Sequence, residues 1–306
     1  MTISRRTLVQ AAAAAAAAAA ILPAPAIGQA TAPMMRPIPS SGEQIPAIGL
    51  GTWITFNVGD DPALRDECAD VMGVFFEAGG RMIDSSPMYG SSQPVIGYGL
   101  DRLGRPETLF AAEKVWASSS ADGAAQLERS RSFWGVQRFD LVQVHNLVAW
   151  EAHLQTLFEM KAAGQIRYVG ITTSEGRRHD LFEKIMGSHP LDFVQLTYNI
   201  VDREAEEQLL PLAAERGIAV IVNRPFRQGA LTRQLDGHQL PEWAKEIGTT
   251  TWAQFILKFI LSHPAITVAI PATTRVNHVR ENVAAAYGVF PDAAMREQMA
   301  AYVRDL

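Results

Sequence analysis

Four side chains set apart in the chain, Asp84, Tyr89, Lys114 and His145, hold between them the chemistry of proton delivery to a carbonyl oxygen. Hydride addition at a carbonyl carbon leaves negative charge on oxygen, and a proton must reach that oxygen. A tyrosine hydroxyl can donate it, but an ordinary pKa of about 10 makes it a weak acid at neutrality. A neighbouring ammonium stabilises the phenolate and lowers that value. Lys114 is expected in this part, and Asp84 is expected to pair with Lys114 and hold its position and charge. His145 is expected to hydrogen-bond the substrate oxygen and orient or polarise it. Taken singly, each has a plainer reading. Asp84 fits a turn or cap, Tyr89 a rim aromatic, Lys114 a solvated charge, and His145 a satisfied structural histidine. Only a fold that gathers all four favours the chemical reading.

The elements that would gather them recur from about Met35 onward, where short β-rich runs alternate with amphipathic helical segments. At Ala78-Gly79-Gly80, Ala163-Gly164 and Arg216-Gly217 a glycine closes a helix and the chain enters an apolar run. Cys68, Val71, Met72 and Phe75 show the i, i+3, i+4, i+7 spacing of a core-facing helix. Strands are expected near 48–51, 81–84, 109–114, 140–144, 168–172, 193–197, 218–222 and 266–270. They are short and apolar, as strands buried in a parallel sheet should be. Unbroken alternation over about 250 residues predicts one (β/α)8 TIM barrel. The competing doubly wound sheet would carry a glycine fingerprint after its first strand. Gly49-Leu50-Gly51-Thr52-Trp53 lacks the third glycine and opens no helix. A hairpin around Ile38 to Ile45 is expected to cap the barrel floor, and Pro291 to Leu306 to form a last helix over one rim. Reactive groups of such barrels lie at the C-terminal strand ends. Asp84, Lys114 and His145 end three consecutive expected strands, and Tyr89 lies in the loop after the first of them.

The charge balance of −5 is weakly acidic, which disfavours nucleic acid or an anionic membrane as a main partner. The single cysteine, Cys68, allows no internal disulfide. A metal-dependent hydrolase would need clustered His and Asp ligands at strand ends, and His145 is the one strand-end histidine, so no metal is expected. Residues 1–30 read as a cleaved twin-arginine export signal ahead of a single domain spanning 31–306. Arg5 and Arg6 form the paired-arginine region, an alanine run from Ala11 to Ala20 follows, and cleavage fits after Ala26 or Ala30. A transmembrane anchor would need about 20 strongly apolar residues. The expected location is therefore the periplasm or another exported compartment, with the twin-arginine export machinery as a partner and no stable membrane anchor.

Gly51-Thr52-Trp53, Asp84 to Gly90, Glu113-Lys114-Val115 and Gln143-Val144-His145 resemble, in order and spacing, the catalytic blocks of the aldo-keto reductase superfamily. The likeness runs from about Ile45 to about Ala286. It implies a general acid at Tyr89, tuned by Lys114 and Asp84, with His145 orienting a small-molecule carbonyl substrate. It also implies NADP(H) bound in an extended pose across the barrel mouth, with Gly51, Thr52 and Trp53 on its path.

The same resemblance places further cofactor contacts. Thr172 and Thr173 stand where the family has Ser-Asn at the nicotinamide amide, and Gln195 matches the glutamine supporting that amide. Asn223, Arg224, Pro225 and Phe226 replace the family's aromatic-Ser-Pro-Leu, so the ring that stacks on the nicotinamide is missing at Asn223. Arg224 is expected to bind phosphate oxygens directly or else to pair with a carboxylate. Thr273, Arg275, His278, Glu281 and Asn282 match the block that holds the adenosine end. Arg275 is expected at a 2′-phosphate near a helix N-terminus, or simply in solvent at the helix start. The resulting expectation is an NADP(H)-dependent carbonyl reductase. The alternative is an exported barrel that binds NADP(H) as a sensor or interaction protein with little turnover, favoured by the departures at Asn223 and Thr173.

Overall fold

The structure, a computed structural model, describes residues 32–306, so the expected export signal at 1–30 lies outside the described residues. Two short strands, β1 (Met35–Pro37) and β2 (Gln44–Pro46), form an antiparallel hairpin. Eight strands follow: β3 (Leu50–Gly51), β4 (Met82–Asp84), β5 (Phe110–Val115), β6 (Phe139–Val144), β7 (Ile166–Thr172), β8 (Phe193–Thr197), β9 (Ala219–Asn223) and β10 (Val268–Ala269). They pair in parallel and in chain order. Parallel bridges Ile48–Ala269 and Gly51–Ala272 join the first to the last, closing an eight-stranded (β/α)8 barrel.

The helices between them are α1 (Pro62–Glu77), α2 (Ser92–Arg102), α3 (Ser120–Trp134), α4 (Trp150–Ala162), α5 (His179–Ser188), α6 (Leu209–Arg216), α7 (Ala230–Leu235) and α8 (Trp252–Leu261). After β10 come α9 (Val276–Ala284) and α10 (Ala293–Arg304). Helix α1 shows how the sequence sets them. The Asp61 carboxylate accepts from the Ala63 and Leu64 N–H groups, and Pro62 opens the first turn. Cys68, Val71, Met72 and Phe75 are all buried against the sheet. Gly79 and Gly217 end their helices at φ 86° and 65°, the left-handed region expected of them. Among the described residues no helix is long and apolar enough to cross a membrane.

Inside the barrel Met82, Phe110, Leu141, Phe193, Ile221 and Val268 fill the lower interior. Ile38 and Ile45, both fully buried, extend this cluster from the hairpin and stop up the floor. Its loop is pinned by Glu43, which binds Arg81, Arg167 and the Tyr168 hydroxyl. Helix α10 packs as the last helix, tied by Arg203 to Glu297 at 2.5 Å and Arg296 to Glu206 at 2.8 Å. Register does the positioning: Gly51 lies beside Asp84, Asp84 beside Ala112, and Lys114 beside Gln143. Asp84 and Lys114 thus sit near the C-terminal ends of adjacent strands, and His145 follows β6 directly.

Candidate active site

The ends of β4, β5 and β6 bring Asp84, Lys114 and His145 together, and the loop after β4 lays Tyr89 beside them. Lys114 Nζ donates to Asp84 Oδ2 at 2.5 Å and to the Ser85 carbonyl at 2.8 Å. It lies 5.3 Å from the Tyr89 ring centroid, and the Tyr89 and His145 rings meet edge to face at 5.8 Å. Asp84 Oδ1 accepts from Gln195 Nε2 at 2.8 Å and, more loosely, from Gln143 Nε2 at 3.4 Å. Four residues scattered over sixty positions therefore form one contact group. Asp84, Tyr89 and His145 line a cavity of about 840 Å³, while Lys114, 0% exposed, stands behind it.

The charges differ from expectation at one point. Burial pushes the Tyr89 hydroxyl up to about 12; Lys114 pulls it down, but Asp84 and Glu113 add to the rise. Lys114 therefore limits the increase instead of producing a net decrease, because desolvation of the phenolate outweighs one ammonium. Burial also works against the Lys114 charge, yet Asp84 and Tyr89 carry its pKa above the ordinary lysine value. Burial, helped by Lys114, lowers His145 to about 3, so the imidazole is neutral at neutral pH.

Behind Lys114 stands Glu113, a buried carboxylate that sequence reasoning did not single out for a role. It accepts from Gln93 Nε2 at 2.7 Å, Trp134 Nε1 at 2.9 Å and the Lys114 N–H at 2.8 Å. Burial raises it to about 7 against the pull of these donors. The group joins α2, α3 and β5 and braces the strand that carries Lys114. On the other side, Asn146, Leu147 and Ala149 adopt left-handed φ of 52°, 55° and 45° without being glycine. Such residues cost roughly 1–2 kcal/mol each, and surrounding contacts must hold them. Two holds are visible: the Asn146 N–H donates to Thr172 Oγ1 at 3.0 Å, and Arg178 donates to the Asn146 carbonyl at 2.7 Å.

The cavity continues across the barrel mouth from Gly51 to Asn282, and every residue expected at the cofactor lines it except Arg275. Arg275 is exposed at the start of α9, where its N–H donates to Thr273 Oγ1. Arg224 lines the cavity but pairs with Glu175 at 2.5 Å, which answers its charge within the protein. Asn223 donates to the Thr173 carbonyl at 2.9 Å and accepts from Thr197 Oγ1 at 2.7 Å, so its amide ties the ends of β7, β8 and β9 together. Trp53 and Phe226 line the cavity, whereas Trp116 and Trp150 do not. Among the cavity residues that escaped notice in the sequence are Arg233, which forms no ion pair among the described residues, and Asp236. Both come from α7 and its end, whose fold back over the cleft carries no sequence signature.

The sequence model of the Aldo/keto reductase family matches residues 47–302. The chain is 26% identical over 252 residues to the methylglyoxal reductase YeaE of Escherichia coli, covering 80% of this chain and 87% of that one. It is also 26% identical to the NADH-specific methylglyoxal reductase of the same organism, over 68% of this chain and 72% of that one. Among solved structures, an aldo/keto reductase from Klebsiella pneumoniae in complex with NADP and acetate superposes with a TM-score of 0.73 at 23% identity. That alignment covers 86% of this chain and 93% of the other.

Proposed function

Because this chain belongs to the aldo/keto reductase family, we propose that it reduces an aldehyde or ketone to an alcohol, with NADP(H) as cofactor and Tyr89 as proton donor. The observation that carries this reading is the contact group of Tyr89, Lys114, Asp84 and His145 beside a cavity of about 840 Å³. A bound nicotinamide supplies the hydride. The chain's own residues do the rest. The neutral His145 ring can donate one hydrogen bond to the carbonyl oxygen and Tyr89 the other, so charge growing on oxygen meets two donors. As the Tyr89 proton leaves, the Lys114 ammonium stabilises the phenolate. Asp84, held by two glutamine amides, keeps Lys114 charged and in place.

The cleft residues fit a dinucleotide. Gln195 uses Nε2 on Asp84, which leaves Oε1 for a ligand amide. Arg233, with no ion pair among the described residues, lines the cleft and is suited to a phosphate, whereas Arg275 lies outside the cavity lining. Asp236 and Glu281 line the cleft too and suit sugar hydroxyls. Of the relatives, one is named as NADH-specific and one structure holds NADP. Titrating the purified chain with NADPH and NADH, followed by tryptophan quenching, tests the cofactor reading. Tighter binding of NADPH is expected. Arg233→Ala should weaken NADPH at least about 10-fold, the worth of a charge-assisted hydrogen bond, and Arg275→Ala should change neither. Equal loss for both dinucleotides would move Arg233 to the shared phosphates; binding of neither would remove the cofactor from the reading.

The sensor alternative rests on the sequence departure at Asn223, whose amide bonds to the Thr173 carbonyl. Turnover of generic aldehydes would exclude it. The proposal also includes export: Arg5 and Arg6 followed by the alanine run read as a twin-arginine signal. That route carries folded proteins, so the chain would cross with its cofactor already bound. Changing both arginines to lysine should leave an uncleaved precursor in the cytoplasm. Unchanged export of that variant would refute this part.

A further inference from the structure

We infer that Ser86 is a positioning residue that sets which nitrogen of His145 carries the proton, so that Nε2–H is the edge presented to the reacting oxygen. Ser86 is 0% exposed, and its Oγ lies 2.7 Å from His145 Nδ1. Two arrangements are possible in principle: the hydroxyl donates to Nδ1, or an Nδ1–H donates to the hydroxyl. The surroundings decide between them. The Met88 N–H already donates to Ser86 Oγ at 3.2 Å. Among the described residues Nδ1 is the sole acceptor within reach of the Ser86 proton. Turning that proton elsewhere would bury an unsatisfied O–H, at a cost of about 1–3 kcal/mol. The hydroxyl therefore donates, Nδ1 is the bare nitrogen, and the ring proton of the neutral imidazole resides on Nε2.

The same residue fixes the second donor of the site. The Ser86 carbonyl accepts the Tyr89 N–H at 3.0 Å. Ser86 thus holds the backbone of Tyr89 with one atom and the ring of His145 with another. The opposite tautomer would face the substrate oxygen with a lone pair, and the site would lose one of its two donors. The tautomer assignment stands on geometry alone, whereas its catalytic consequence rests on the carbonyl-reduction reading above.

Nitrogen-15 NMR of histidine-labelled protein decides the first part, with the His145 signals assigned by their loss in His145→Asn. A protonated Nε2 and an unprotonated Nδ1 are expected at neutral pH; a protonated Nδ1 overturns the inference. Kinetics decide the second. With a small aldehyde, Ser86→Ala should lower kcat about 10-fold with little change in KM, since it frees a donor needed in the transition state. Ser86→Thr, which keeps the hydroxyl, should recover most of the loss. An undiminished kcat in Ser86→Ala refutes the positioning role. Should the wild-type protein reduce no carbonyl at all, the functional reading fails, and the NMR pattern still decides the tautomer.

Discussion

Tyr89→Phe is expected to lower carbonyl reduction about 10³-fold, within the range general-acid catalysis supplies, while dinucleotide affinity stays near that of the wild type. The substitution removes one oxygen and keeps the ring that meets His145 edge to face and lies beside Lys114. What is lost is a proton donor and nothing else in the packing. The pH dependence should agree. With Tyr89 pushed up to about 12 and His145 down to about 3, both stay neutral across the neutral range. The rate should then show no inflection near 6.5, where an ordinary histidine titrates, and should fall on the alkaline side as Tyr89 loses its proton. Turnover retained in Tyr89→Phe, or a bell centred on histidine titration, would remove these residues from their roles.

Lys114→Met should abolish turnover and destabilise the fold by about 3–5 kcal/mol, the usual cost of removing one partner of a buried ion pair. Lys114 and Asp84 are 0% and 2% exposed and 2.5 Å apart. Without the ammonium, Asp84 keeps only the amides of Gln195 and Gln143 for a buried negative charge. Asp84→Asn added to Lys114→Met should return part of the stability, because no lone charge remains, and none of the activity. Urea unfolding alongside steady-state kinetics separates the two effects. A Lys114→Met protein as stable as wild type would show that the pair is not the buried lock seen in the structure.

The sequence revealed most where side-chain type and strand order sufficed. Apolar runs ending in Asp84, Lys114 and His145 marked adjacent strands, and a parallel barrel can only bring such ends together. The glycine-terminated helices and the floor hairpin were legible for the same reason: their signals are local. The arginines were less legible, because a charge near a ligand path says nothing of its partner. Arg224 pairs with Glu175, 49 positions earlier, and Arg275 stands exposed at the start of α9, in each case the second of the two readings the sequence allowed. Ser86 and Glu113 were hidden in plain view inside recognised blocks. Their meaning depends on His145, Gln93 and Trp134, contacts that no spacing rule foretells. The rise of the Tyr89 pKa was missed for a related cause, since burial depth is a property of the assembled wall and not of any one residue.

Ile38 and Ile45 join Met82, Phe110, Leu141, Phe193, Ile221 and Val268 in one packed interior. A barrel filled in this way is a plug and not a channel, so nothing passes through it from the floor to the cleft. On the proposed reading, dinucleotide and carbonyl would therefore enter and leave at one face, the one that carries the C-terminal strand ends.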